Sequence, residues 1–405
     1  MLSVFWTCIF DHASDGMNLV FLTTPNFTGS RSMPRFAALV GEGMRERGHS
    51  VEYRTAECKV SRFFPPSPAP LLKWARYVDQ YLLFPSALRR SIQSDSDKTL
   101  YIVTDQGLGM WIPEIVTRPH VLHCHDMLAI RSSLGDFPEN RLSLTGRLYQ
   151  SRIRSGLSRA NNFISVSEAT RNSLHMIRGI PAGISEVIHN AQNRPIQRMS
   201  LEDASNCLQI SVPLPEQRPI IHVGGNQWYK NREGVLQIYT AYAATSSDPA
   251  PLWMIGGEPT SAMRLLERMV PSQGRVHFMT DVTDCKLSAI YSLAAALLFP
   301  SLEEGFGWPV SEAMAFGCPV ITTGIAPMTE VGGESVVYVP RAGLSHQRQE
   351  WAASCARILN KTLSLSDDQK TMMIKRGIDR ATRFNRDDFL DRCEFIYSSI
   401  LANNS

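Results

Sequence analysis

Short apolar runs alternate along this chain with stretches whose apolar residues recur every three or four positions. Asn18 to Thr24 is one such run, dense enough for a strand buried on both faces. A turn-rich loop, Pro25 to Pro34, follows it. Phe36, Leu39, Val40 and Met44 then share one face of a helix from Arg35 to Arg47, which Gly48 ends. Val51 to Arg54 is the next strand. Further strands are expected at Leu100–Thr104, Val121–His125 and Asn162–Ser167. The series resumes at Pro219–Val223, Leu252–Ile255, Arg275–Met279, Leu297–Phe299 and Pro319–Ile321, with a helix from Lys286 to Ala296. Strands separated by helices build parallel sheets covered on both sides, so the pattern predicts an α/β fold.

Two interruptions organise the chain. Arg194 to Gln217 is polar and turn-rich, with Pro213 and Pro215, and marks a boundary between domains at 17–195 and 218–385. The length of 405 residues also favours two α/β domains. The other interruption is the proline-rich break Phe63 to Pro70. Beyond it Trp74, Tyr77, Tyr81 and Phe84 are spaced as a helical stripe. Such a stripe reads first as core or interdomain packing, with a membrane face as the alternative.

Chemistry is densest between Phe299 and Thr323. Gly305 and Gly307 bracket Phe306 in a turn that bares backbone amides, and Trp308-Pro309 opens a helix that Gly317 ends. Glu304 lies on the turn. Glu312 lies near the helix start, where free N–H groups favour an anion. A phosphate with a sugar on either side suits such a cradle; a solvated loop Glu and a capping Glu suit the spacing equally. Lys230 follows Gly224, Gly225 and Asn226 at another strand-to-helix turn, the arrangement of a phosphate clamp with Asn226 or Arg232 as helper. His125 and Asp126 end a strand, where active-site residues collect, although a structural histidine fits there too.

The run E-G-F-G-W-P-V-S-E-A-M-A-F-G-C-P-V from Glu304 resembles the E-x7-E signature of retaining GT-B glycosyltransferases, in particular glycosyltransferase family 4. The resemblance implies two Rossmann-like domains facing across a cleft. Glu304 would contact the donor sugar hydroxyls and Glu312 the ribose, with the amides of Gly305, Phe306, Gly307 and Trp308 at the sugar and diphosphate. V-G-G-N-Q-W-Y-K-N resembles the family's glycine–lysine loop, with Gly225 where an arginine often stands, so Lys230 becomes the main diphosphate cation. Main-chain groups from Met279 to Val282 would hold the base, and His125 would sit beside the reacting sugar. Gly29, with Ser30 and Arg31, stands for the N-terminal loop facing the diphosphate and acceptor. Asn162 to Arg171 and Thr329 to Gly333 resemble two further family motifs, i-x-V-S-x-x-T-R and p-E-v-x-G. The closing helix at 386–405 would cross back to the first domain.

Composition sets the remaining bounds. The chain is 43% apolar and 20% charged, as in ordinary globular proteins. Residues 1–195 carry 22 Lys and Arg against 16 Asp and Glu, a bias that suits an anionic acceptor or a membrane surface. Eight scattered cysteines without a C-x-x-C point to reduced thiols and a cytoplasmic setting. Residues 1–16 read as a loose tail or a mis-set start, and no segment is apolar enough to span a bilayer. Neither Asp95 and Asp97 nor the later aspartate pairs are placed for a phosphate-bound cation, so no metal and no cofactor is expected. The expected activity is transfer of a hexose, with retention, from a nucleoside diphosphate sugar to a saccharide, lipid-linked or small-molecule hydroxyl. Peripheral membrane contact at the inner face fits this reading; a nucleic-acid partner does not. The alternatives are a nucleotide-sugar epimerase of the same fold and a non-catalytic nucleotide-sugar-binding protein.

Overall fold

Parallel strands form two six-stranded sheets in this computed structural model, which describes residues 16–29, 32–65, 69–192, 194, 196, 198–208, 217–343 and 347–403. The first sheet holds β1 (Asn18–Leu22), β2 (Ser50–Arg54), β3 (Thr99–Val103), β4 (His120–Cys124), β5 (Phe163–Ser165) and β6 (Ser185–Val187). Its order is β2-β1-β3-β4-β5-β6. The second holds β7 (Ile220–Gly224), β8 (Leu252–Gly256), β9 (Val276–Met279), β10 (Ala296–Phe299), β11 (Val320–Thr323) and β12 (Val337–Val339), ordered β12-β11-β10-β7-β8-β9. Helices cover both faces, which is why β3, β4 and β10 are buried along their whole length. This is the two-domain α/β architecture expected of a GT-B protein.

Strand order decides where a ligand can sit. In an open parallel sheet the crevice forms where the winding reverses, outside the carboxyl ends of the strands. The reversal falls between β1 and β3 in the first sheet and between β7 and β10 in the second. The loop after β7 carries Lys230, and the turn after β10 carries Glu304.

The helix Arg386–Asn403 packs on the first sheet, with Phe389, Cys393, Ile396 and Tyr397 in one core with Leu19, Phe21 and Val40. The Tyr397 hydroxyl and His123 Nε2 lie 2.8 Å apart. Arg47 pairs with Glu394 at 2.6 Å on the flank of the same contact.

Three sequence expectations change. The stretch 194–217 is not all loop: Leu201–Leu208 is a helix that packs into the second domain, with Ala204 and Leu208 fully buried. Its apolar positions Leu201, Ala204 and Leu208 have helical spacing that the surrounding polar residues mask. The helix expected to reach Ala296 stops at Leu293, because Ala294 turns extended and Ala296 begins β10. The aromatic stripe divides: Phe84 lies 4.4 Å from Trp111 and Tyr77 5.3 Å from Tyr149, while Trp74 is 62% exposed.

Candidate active site

Two carboxylates and two cations meet at the second switch point. Lys230 ends a short 3-10 turn after β7, and its Nζ donates to both Glu304 oxygens at 2.8 and 3.0 Å. Ser301 Oγ donates to Glu304 Oε1 at 2.8 Å. Lys230 and Glu304 are largely buried, at 14% and 7% side-chain exposure, so water screens their attraction far less than in a surface ion pair. Behind it His222 Nδ1 lies 3.0 Å from the Leu298 carbonyl, and burial pushes that ring down to about 3, holding it neutral beside Lys230.

Glu312 lies in the first turns of the helix Trp308–Ala315, which Gly307 enters at φ 100°, a backbone state suited to glycine. The carboxylate is buried. Tyr291 OH donates to its Oε2 at 3.0 Å and Arg194 Nε to its Oε1 at 2.9 Å. Arg194 also meets Asp284 at 3.1 Å, and Asp284 takes a contact from Arg35 of the first domain at 3.2 Å. The sequence predicted a cradle here, and the structure adds a guanidinium inside it.

His125 follows β4 on the opposing domain. Its Nε2 donates to the Thr104 carbonyl at 3.0 Å, and Nδ1 has no hydrogen-bond partner among the described residues. Burial lowers its pKa, so the ring is neutral and Nδ1 is a hydrogen-bond acceptor. Phe36 packs edge-on at 4.4 Å, and the Trp308 ring lies 6.4 Å away. Desolvation, with Asp105 and Glu304 near, lifts the Asp126 carboxyl to about 6.

The two domains touch at the Glu304 turn. A Cβ on Gly305 would come within 1.7 Å of the His125 carbonyl oxygen, so only glycine allows this approach. Ser167 and Thr170 hydroxyls donate to the Gly305 carbonyl at 2.7 and 3.1 Å. Glu330 accepts from the Glu168 and Ala169 amides at 2.7 and 2.9 Å, capping a first-domain helix from the second domain. Trp308 Nε1 donates to the Ala191 carbonyl at 3.1 Å.

Family models agree with this arrangement over both halves. Residues 33–193 match the model described as Glycosyltransferase Family 4, and residues 217–361 match Glycosyl transferases group 1. The chain belongs to the group 1 glycosyltransferases of the GT-B fold. The O-antigen chain mannosyltransferase B of Escherichia coli is 27% identical over 69% of this glycosyltransferase and 70% of its own length. The O-antigen chain mannosyltransferase RfbU of Salmonella typhimurium is 26% identical over 46% of this chain, which spans about half of that relative (49%). Among solved structures, the Anabaena protein HepE in complex with UDP and glucose superposes with a TM-score of 0.67 at 16% identity, covering 95% of this chain and 100% of that one. At that identity the likeness is one of fold.

Within the glycosyltransferase, the ends of β10, β7, β8 and β9 follow one another along the crevice. Glu304, then Gly224 and Gly225, then Met279 and Val282 therefore form a line. Phe306 is 3% exposed and rings against Phe384 at 5.5 Å, so only its main chain can reach a ligand. Asn226 is engaged already: its Nδ2 donates to the Glu258 carbonyl at 2.7 Å and its Oδ1 accepts from Arg232. Gly29 ends a turn at φ 75° after β1, while Ser30 and Arg31 lie outside the described residues.

The sequence reading did not find Arg194, Tyr291 or Asp284, which surround Glu312. Arg194 entered that reading only as the first residue of a polar stretch. Ser167, Thr170 and Glu330 were seen as motif letters without a role; their work is to join the domains. Among the described residues no group of three or more His, Cys, Asp or Glu is placed to hold a metal ion. Asp95 is spent on Arg54 at 2.7 Å and Asp97 on Arg118 at 3.0 Å.

Proposed function

We propose that the enzyme transfers a hexose from a nucleoside diphosphate sugar to a saccharide hydroxyl with retention of configuration. The observation that carries this reading is the Lys230–Glu304 pair at the β7–β10 switch point, flanked by the amide-rich turn before Trp308. The C1–diphosphate oxygen bond breaks while the acceptor oxygen bonds to C1 on the same face. The acceptor proton passes to the departing diphosphate oxygen. Lys230 and the helix start at Trp308 stabilise the developing charge, so no metal ion is required. Glu304 orients the sugar, Glu312 the ribose, and His125 Nδ1 accepts from a sugar hydroxyl. The mannosyltransferase relatives and the UDP and glucose held by HepE support a hexose and a nucleotide. Thermal-shift screening of nucleotide sugars, then NMR of the product's anomeric signal, tests the reading. An inverted product, or nucleotide release with no new glycoside, overturns it.

We also assign a membrane-facing surface to the first domain. Leu71, Trp74 and Leu82 are 56%, 62% and 64% exposed, and Leu144 and Leu148 on the helix Leu144–Leu157 are 82% and 61% exposed. Tyr77 and Tyr149 bring these two segments together, and exposed Lys73, Arg147 and Arg152 accompany them. Apolar side chains among cations match an anionic lipid interface. No described helix is long and apolar enough to cross a membrane. Sedimentation with anionic vesicles that Trp74→Ser and Leu144→Ser leave unchanged would remove this assignment.

A further inference from the structure

A cavity of about 320 Å³ opens between the domains beside the Glu304 turn. Arg131, Asp136, Phe137 and Glu139 line it from the first domain, and Glu303 and Arg341 from the second. Its position ties it to the reacting centre. Arg341 Nε donates to the Leu302 carbonyl at 3.0 Å, and the Leu302 amide donates to the Tyr229 carbonyl at 2.7 Å, one residue before Lys230. The Phe137 ring lies 4.9 Å from Trp228 at the same edge. A ligand seated here is next to Glu304 and on the side away from Met279, where the nucleotide is expected.

The charges inside identify the chemistry. Arg131 meets Asp136 at 3.0 Å and Glu303 at 3.6 Å; Arg341 meets Glu139 at 3.1 Å and Glu303 at 3.6 Å. Two cations therefore face three acids, and the arginines are already compensated. The Glu303 contacts are too long for hydrogen bonds, and Glu139 Oε2 is buried with no hydrogen-bond partner among the described residues. These carboxylate oxygens call for O–H or N–H donors. A phosphate or uronate offers mainly acceptors and meets a net negative wall. A neutral polyol supplies hydroxyl donors to the carboxylates and lone pairs to the guanidinium N–H groups. The volume is at the small end of ligand sites, about 300–1,000 Å³.

We propose that this cavity seats the acceptor and that the acceptor presents an uncharged saccharide end to it. The inference rests on the transferase reading above, and its test separates the two. Nucleotide-saturated protein would be titrated calorimetrically with neutral disaccharides of mannose, glucose, galactose and N-acetylglucosamine, and with the 6-phosphates of the same sugars. At least one neutral disaccharide is expected to bind, with every 6-phosphate weaker. Glu139→Gln and Arg341→Ala should weaken that disaccharide by about tenfold or more while leaving UDP or GDP affinity within about twofold. No neutral binder, a tighter 6-phosphate, or unchanged binding by both variants overturns the acceptor assignment while nucleotide binding persists. Failure of the native chain to bind any nucleotide overturns the transferase reading and this inference together. Circular dichroism of each variant guards against misfolding, and the conservative Glu139→Gln carries the test if Arg341→Ala fails to fold.

Discussion

Arg194 Nε donates to Glu312 Oε1 at 2.9 Å, so a residue joining the domains holds one oxygen of the acid assigned to the ribose. With side-chain exposures of 9% and 4%, neither charge is well served by water. Arg194→Ala should destabilise the ligand-free protein by about 3 kcal/mol, the scale of breaking one side of a buried pair. UDP or GDP should then raise the melting temperature more in the variant than in the native chain, because ribose hydroxyls replace the lost donor. Equal ligand-induced shifts in both proteins would show that the ribose does not reach Glu312.

Lys230 is the cation nearest Glu304, and its removal tests the leaving-group role. Lys230→Ala should lower turnover by ~10²-fold or more, the scale of losing one preorganised donor. Steady-state kinetics on a variant with native circular dichroism checks this. Unchanged turnover would remove Lys230 from the mechanism.

The Gly305 carbonyl accepts from both Ser167 and Thr170, which makes domain contact separable from nucleotide binding. The double variant Ser167→Ala with Thr170→Val should lose about 1 kcal/mol per hydrogen bond. Transfer should slow several-fold while affinity for free UDP or GDP holds. Parallel loss of both would mean that these hydroxyls support the nucleotide site itself.

Asp126 makes stability depend on pH in an unusual direction. Its folded carboxyl sits at about 6, above the ordinary aspartate value of 3.8, so between those values the folded state binds more protons than the unfolded chain. Stability from this group is full below about pH 4, falls as pH rises through the window, and stays lowered above pH 6. Asp126→Asn keeps an oxygen for the Leu128 amide, which donates to Oδ1 at 2.9 Å. Thermal melts should therefore find the variant more stable at pH 7.5, by on the order of 1–2 kcal/mol, and level with the native chain at pH 4. A difference that grows on acidification would contradict the assignment.

Excess EDTA should leave transfer essentially intact if, as proposed, positive charge at the phosphates comes from Lys230 and oriented amides. Activity abolished by chelation and restored by Mg²⁺ or Mn²⁺ would replace this arrangement with one that recruits oxygen ligands around an ion.

Much of the fold was legible because a strand buried on both faces has to be written in continuous apolar residues, as in Leu100–Thr104 and Leu297–Phe299. The Glu304 turn was legible for a related reason: glycines at 305 and 307 have few other uses at a strand end. What stayed hidden depends on side chains brought together from afar. Nothing local marks Arg194 as the partner of Glu312, 118 positions away, or Glu330 as the cap of a helix 162 positions earlier. The helix Leu201–Leu208 was hidden because only two of its positions, Ala204 and Leu208, are buried. Cys207 and Cys285 show the same limit, scattered in sequence yet with sulfurs 3.3 Å apart.

The helix Arg386–Asn403 supplies part of the core of the first sheet, and this sets an order of events during synthesis. The second domain has all its strands once residue 339 has been made, whereas the core that Leu19 and Phe21 share with Phe36 and Val40 lacks Phe389, Ile396 and Tyr397 until residues 386–403 emerge. The earlier-made half is thus expected to complete its core last. Limited proteolysis of chains stalled at residue 385 would find a cleavable first half beside a resistant second half.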